Sequence, residues 1–160
     1  MNIIFLDIDG VLNTIKTEEL APSGFIGIED TPIKNLKKII EETNAKIVLI
    51  STWKNEWSKS IGYKGEDFKY LEQRLNEFNI TIFDKTNDCI YNRGEGIKKY
   101  LYYHPEITNW VVIDDIIFDD YDDEISKHFI HTDQCYGLTF KQALKTIEIL
   151  NNWLSVYYMI

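Results

Sequence analysis

The sequence predicts a three-layer α/β/α sandwich around a central, mostly parallel five-stranded sheet. Three observations predict it. Apolar runs of strand length alternate with helical patterns along the 160 residues, the order expected of parallel strands joined by right-handed crossovers. Three of these runs stop at polar residues: Asp7 and Asp9, then Ser51 and Thr52, then Asp114 and Asp115. No repeat, low-complexity linker or Pro/Gly/Ser-rich boundary interrupts the pattern, so residues 1–160 read as one domain.

Each element has its own signal. The first strand is read over 2–8, an apolar run that ends in Asp7 and Asp9, with Gly10 able to turn the backbone. Residues 14–29 hold Pro22, Gly24 and Gly27 and read as a loop or hairpin. Thr31 is expected to cap a helix with Pro32 in its first turn, and Ile33, Leu36, Ile39 and Ile40 form its apolar face through about Glu42. Residues 46–50 form the second buried strand. One helix is expected near 53–60 and another over 67–78, followed by a short third strand over 80–83. Residues 94–103 read as a helix with Ile97, Tyr100 and Leu101 on one face, closed by His104 and Pro105. The fourth strand is 110–113 and the fifth 128–131. The last helix runs from 139 to about 153, with Phe140, Leu144, Ile147 and Leu150 as its stripe.

Composition bounds the function. Hydrophobic residues are 44% of the chain and aromatic residues 14%, enough for a packed core. No apolar run reaches membrane-spanning length, so no membrane contact is expected. The N-terminus enters the first strand without a basic flank or cleavage site, which makes the cytoplasm the expected compartment. The net charge of −9 argues against broad attraction to nucleic acid or anionic lipid. It leaves a nucleic-acid end open as a substrate, because a local pocket with Mg²⁺ can override the global sign. Asp120, Asp122, Asp123 and Glu124 read as a solvated acidic face. Cys89 and Cys135 lack zinc spacing and read as unpaired, buried or neutral thiols. No obligate protein partner is evident.

The chemistry sits at the strand ends. In a parallel sheet these ends share one edge, so Asp7, Asp9, Ser51, Thr52, Asp114 and Asp115 converge although they are distant in sequence. Two acids held together repel unless a cation or proton intervenes. Mg²⁺ takes oxygen ligands in near-octahedral geometry. Asp7, Asp114 or Asp115, and the backbone carbonyl of Asp9 are the candidate ligands. A metal there would let one carboxylate attack phosphorus while the other handles protons. A Ser or Thr hydroxyl would hold the phosphoryl oxygens, and Arg93, at a helix start, would balance the charge.

This ordered set resembles the haloacid dehalogenase (HAD) superfamily of aspartyl phosphatases and phosphotransferases. Its first motif stands as Asp7-Ile8-Asp9-Gly10-Val11-Leu12. The second is the apolar run ending in Ser51-Thr52. The third is best matched by Arg93, with Lys85 and Lys98 as alternatives. The fourth is Val111-Val112-Ile113-Asp114-Asp115, with Asp119 soon after. The run from Arg93 to Ile97, together with residues 129–133 and 137–139, looks like a small capless subgroup whose relatives occur in RNA repair proteins. The resemblance implies a HAD-like, Rossmann-like fold.

It also implies roles. Asp7 would be the nucleophile that forms an aspartyl-phosphate, and Asp9 the general acid and then base. Ser51 or Thr52 would bind the phosphoryl group, and Arg93 would steady Asp7 and the phosphate. Asp115 would hold the metal, with Asp114 as a further ligand or support, and Asp119 would orient them. The gaps after the first and second motifs are too short or too filled for a separate cap domain. An open pocket admits a phosphate on a larger body, so a nucleotide or nucleic-acid end is the expected substrate. Two other readings stay open: a phosphotransferase or phosphomutase, and a Mg²⁺-binding regulatory domain without turnover.

Overall fold

Four consecutive fully buried side chains, Ile3, Ile4, Phe5 and Leu6, put the first strand in the middle of the sheet, because only a central parallel strand is covered on both faces. The computed structural model describes residues 1–88 and 91–151. In chain order its first elements are β1 (Asn2–Leu6), α1 (Asp30–Thr43), β2 (Lys46–Leu49), a 3₁₀ turn (Thr52–Glu56), β3 (Trp57–Ser58), β4 (Tyr63–Lys64) and α2 (Glu66–Asn76). They are followed by β5 (Ile82–Lys85), α3 (Arg93–Tyr103), β6 (Asn109–Asp114), α4 (Asp123–Lys127), β7 (Phe129–His131) and α5 (Phe140–Asn151).

The five-stranded sheet runs β5-β2-β1-β6-β7, and every pairing in it is parallel. Alternate side chains of β1 face opposite layers. Ile4 and Leu6 pack with Ile33 and Leu36 of α1, Phe68 and Leu71 of α2, and Ala143 and Leu150 of α5. Ile3 and Phe5 pack with Ile97 and Tyr100 of α3 and Ile125 of α4. Each such side chain, fully buried, contributes about 1.5–3 kcal/mol. Helices on both faces make the fold the expected three-layer α/β sandwich.

Several local expectations are corrected. Thr31 lies inside α1 and does not cap it. The cap position is Glu29, which makes no side-chain capping bond. The helix expected near 53–60 is only the 3₁₀ turn, after which the chain enters the antiparallel ribbon of β3 and β4. Here Trp57 stacks on Phe68, with ring centroids 5.1 Å apart, and this packing replaces a second helical turn. The acidic 123–127 segment forms α4, capped by Asp122, whose side chain accepts a bond from the Ile125 N–H at 3.1 Å. In α5 the buried face is Ala143, Thr146, Ile147 and Leu150, while Phe140 and Leu144 face outward. The expected helix end near 153 and the thiol at Cys89 lie outside the described residues. Cys135 is unpaired and half-buried, and Asp133 pushes its thiol up, which keeps it neutral. Among the described residues no helix is long and apolar enough to cross a membrane.

Candidate active site

The Asp7 N–H donates to the Ile113 carbonyl at 2.9 Å, which carries the β1–β6 ladder one residue past β1. Asp7 is therefore fixed at the carboxyl edge of the sheet, the edge where open α/β folds place ligands. Asp114 ends β6, and its carbonyl accepts from the Thr132 N–H at 2.9 Å. Beyond Asp7 the chain turns sharply. The N–H groups of Val11 and Leu12 donate to the Ile8 carbonyl at 3.1 and 2.8 Å. The turn needs Gly10, whose φ is +73°, a value costly for a residue with a Cβ. A Cβ there would also lie 2.4 Å from Asp115 Oδ2.

One guanidinium serves two buried acids. Arg93 Nη1 lies 3.0 Å from Asp7 Oδ1 and 2.7 Å from Asp114 Oδ2. Its guanidinium also stacks on Phe118, 4.5 Å from the ring centroid. Burial works against the Arg93 charge, but Asp7 and Asp114 hold its pKa above the usual value. Tyr121 donates to Asp114 Oδ2 at 2.8 Å, and the Ile116 N–H donates to Asp114 Oδ1 at 3.0 Å. Asp115 is half-buried beside them, and burial followed by the Asp114 charge raises its carboxyl.

One carboxylate oxygen from each of Asp7, Asp114 and Asp115 lies within 4.8 Å of the others. Burial, then the Asp114 charge, pushes the Asp7 carboxyl up to about 8 against the pull of Arg93. Three converging carboxylates and one guanidinium leave negative charge uncompensated. A set of hard oxygen donors with that surplus fits a divalent cation such as Mg²⁺.

Asp9 stands apart from this cluster and is exposed. Neutral donors hold both its oxygens: Asn13 Nδ2 on Oδ1 at 2.8 Å and Trp53 Nε1 on Oδ2 at 3.0 Å. Asn13 is buried. It also accepts from the Gly10 N–H at 2.9 Å and donates to the Gly27 carbonyl at 2.9 Å, so it locks the turn and the acid together. Ser51 is buried after β2 and caps the 3₁₀ turn, accepting from the Trp53 N–H at 3.4 Å. Its own O–H donates to no acceptor among the described residues. Thr52 is exposed and faces the cavity described below.

The alternatives to Arg93 are engaged elsewhere. Lys85 donates to the Lys54 carbonyl at 3.1 Å and to that of Trp57. Lys98 pairs with Asp122 on the surface. Asp119 is exposed and makes no hydrogen bond to Asp114 or Asp115 among the described residues, so Tyr121 does the orienting expected of it.

Sequence reasoning missed Asn13, Tyr121 and the bond from the Trp53 N–H to Asp9. An Asn three residues after a turn glycine and a Tyr inside an acidic run were the available signals. It also missed Lys54, a buried cation whose Nζ reaches Thr86 Oγ1 at 2.9 Å and Asp88 Oδ1 at 2.6 Å. A cavity of about 430 Å³ opens beside Asp9, Gly10 and Asp115.

A family model described as "HAD domain in Swiss Army Knife RNA repair proteins" matches residues 3–143. No curated protein matches the chain significantly.

Proposed function

Because the chain belongs to the HAD domains of Swiss Army Knife RNA repair proteins, a family with phosphatase-like chemistry, we propose that it is a Mg²⁺-dependent phosphomonoester hydrolase acting through Asp7. The observation that carries this reading is the pairing of two differently held acids. Asp7 is buried against Arg93 with Asp114 and Asp115 close by, while Asp9 is exposed on neutral donors. Two carboxyl groups in such different settings suit two different roles.

In this reading Asp7 attacks phosphorus and the ester P–O bond breaks. Asp9 delivers its proton to the departing alcohol oxygen. Asp9 then takes a proton from water, whose oxygen attacks the phosphorus of phospho-Asp7. Inorganic phosphate leaves and the Asp7 carboxylate is restored. Asp7, Asp114, Asp115 and the Asp9 carbonyl would hold Mg²⁺, which supplies positive charge against the phosphate. Arg93 neutralises charge on the Asp7 side, and the Ser51 O–H, with Thr52 beside it, binds the phosphoryl oxygens. Residues 1–160 act as one catalytic domain without a separate cap. The family description, which names RNA repair proteins, favours a nucleotide or a nucleic-acid end as the phosphate's carrier.

The test is phosphate release from an aryl phosphate with and without Mg²⁺. Wild type should release phosphate only with the ion, and Asp7→Asn should lose release by about 10³-fold or more with an unchanged circular dichroism spectrum. Full activity in Asp7→Asn would refute the mechanism.

A further inference from the structure

The cavity beside Asp9, at about 430 Å³, falls within the roughly 300–1,000 Å³ span of small-molecule sites. Part of its wall is apolar, formed by Ile15, Phe25 and Ile26 of the 14–29 loop and by Trp53, whose N–H holds Asp9. Ile15 is 57% exposed and Phe25 is 73% exposed. Scattered exposed apolar residues are ordinary, but a set gathered around one concavity marks a ligand surface. The wall is also pre-formed. Ser23 N–H donates to Asp67 at 2.9 Å, Ile28 N–H donates to the Tyr70 hydroxyl at 3.0 Å, and Arg74 donates to the Ile28 carbonyl at 3.0 Å. These bonds tie the loop to α2, so a ligand would meet a surface already in place.

The charges in the lining are all of one sign. They are Asp9, Asp115, Glu56 and Asp67, and no Lys, Arg or His lines the cavity. Arg93 is committed to Asp7 and Asp114. A second phosphate joined directly to the first, as in a diphosphate, would stand among these carboxylates beside the reacting ester and meet no cation of the wall.

Resting on the phosphatase reading, we propose that this cavity receives the leaving group of the substrate. That group is a flat, uncharged aromatic body bearing one phosphate, the chemistry of a nucleoside monophosphate or of the last nucleoside of a nucleic-acid end. The ring lies against Phe25 and Ile15, and the ester oxygen stands at Asp9, which protonates it as it leaves.

The test compares kcat/KM, with Mg²⁺, for ribose 5-phosphate, a nucleoside 5′-monophosphate, its diphosphate, and a dinucleotide with a terminal phosphate. The monophosphate should exceed ribose 5-phosphate by about tenfold or more, the scale of a ring stacked on an aromatic side chain. The diphosphate should fall about tenfold or more below the monophosphate. Phe25→Ala, at an exposed position outside the core, should bring the first ratio towards one. Ile15→Lys should raise the diphosphate relative to the monophosphate. A dinucleotide that outpaces the free nucleotide assigns the body to a nucleic-acid end, and the reverse assigns it to a free nucleotide. Either result supports the cavity's role. Equal kcat/KM for all four substrates, unmoved by Phe25→Ala while aryl phosphate release still needs Asp7, overturns that role and leaves the phosphatase reading standing. A diphosphate preferred over the monophosphate overturns it as well. No Asp7-dependent release from any ester overturns both.

Discussion

Arg93 holds two buried acids with one nitrogen, so its loss would expose both to an unpaired, desolvated charge. Arg93→Met should destabilise the fold by about 3–5 kcal/mol in urea titration, and added Mg²⁺ should return part of that loss. The same crowding gives a pH dependence. Folding raises the Asp7 carboxyl from its ordinary 3.8 to about 8, so folding favours the protonated acid. The stability linked to that proton is complete below about pH 3.8 and drains as pH rises towards about 8. Without divalent cations, Asp7→Asn should therefore gain stability relative to wild type across that window. Saturating Mg²⁺ should flatten the difference, since the ion then takes the proton's place. At this scale the sequence was partly legible. Asp7, Asp114 and Arg93 could be placed because each adjoins a strand end or helix start. Asn13 and Tyr121 could not, because their bonds depend on where a loop returns. Nor could the partner of the Trp53 N–H, because the bend at Ser51 sets it.

Among the elements, α3 does most to build the site, because its first turn carries Arg93 and its glycines let it approach. A Cβ on Gly94 would lie 2.3 Å from the Asp120 carbonyl oxygen, and one on Gly96 would lie 2.5 Å from Asp88. Neither glycine has a positive φ, so closeness and not backbone conformation excludes a side chain. Gly94→Ala should push α3 away from the 118–122 loop, destabilise by about 1–3 kcal/mol, and weaken turnover by displacing Arg93. Thermal unfolding and steady-state assays on the same sample would check both effects. The strands and the long helices could be read because their apolar periodicity is unbroken. The 52–64 stretch could not, since Trp53 and Trp57 suit a helix face and a ribbon equally well. Helix α4 was hidden because Ile125 is its one buried side chain, too little for a periodic signal. The stripe of α5 was legible at Ile147 and Leu150 but not at Phe140 and Leu144, which face outward because small Ala143 and Thr146 take the inward face.

For the whole molecule, the net charge of −9 predicts weak, salt-insensitive contact with long polynucleotides. A gel-shift titration against a long single strand at low ionic strength should show no retained complex, even if the end of that strand is a substrate. Global sign and layered architecture were legible from composition and alternation, whereas the shape of the cavity was not, because it depends on how the 14–29 loop is moored to α2. The strand order carries a consequence for how the protein comes into being. β1 lies between β2 and β6, and Ile3 pairs with Trp110 across most of the chain. Such distant pairing slows folding, since a large loop must close before contacts reward it. Asp7 leaves the ribosome before Arg93 and Asp114 do, and the three meet only when β6 docks. If the acids hold Mg²⁺ as proposed, metal affinity should therefore appear only in that late step, and Mg²⁺ uptake should time the docking of β6.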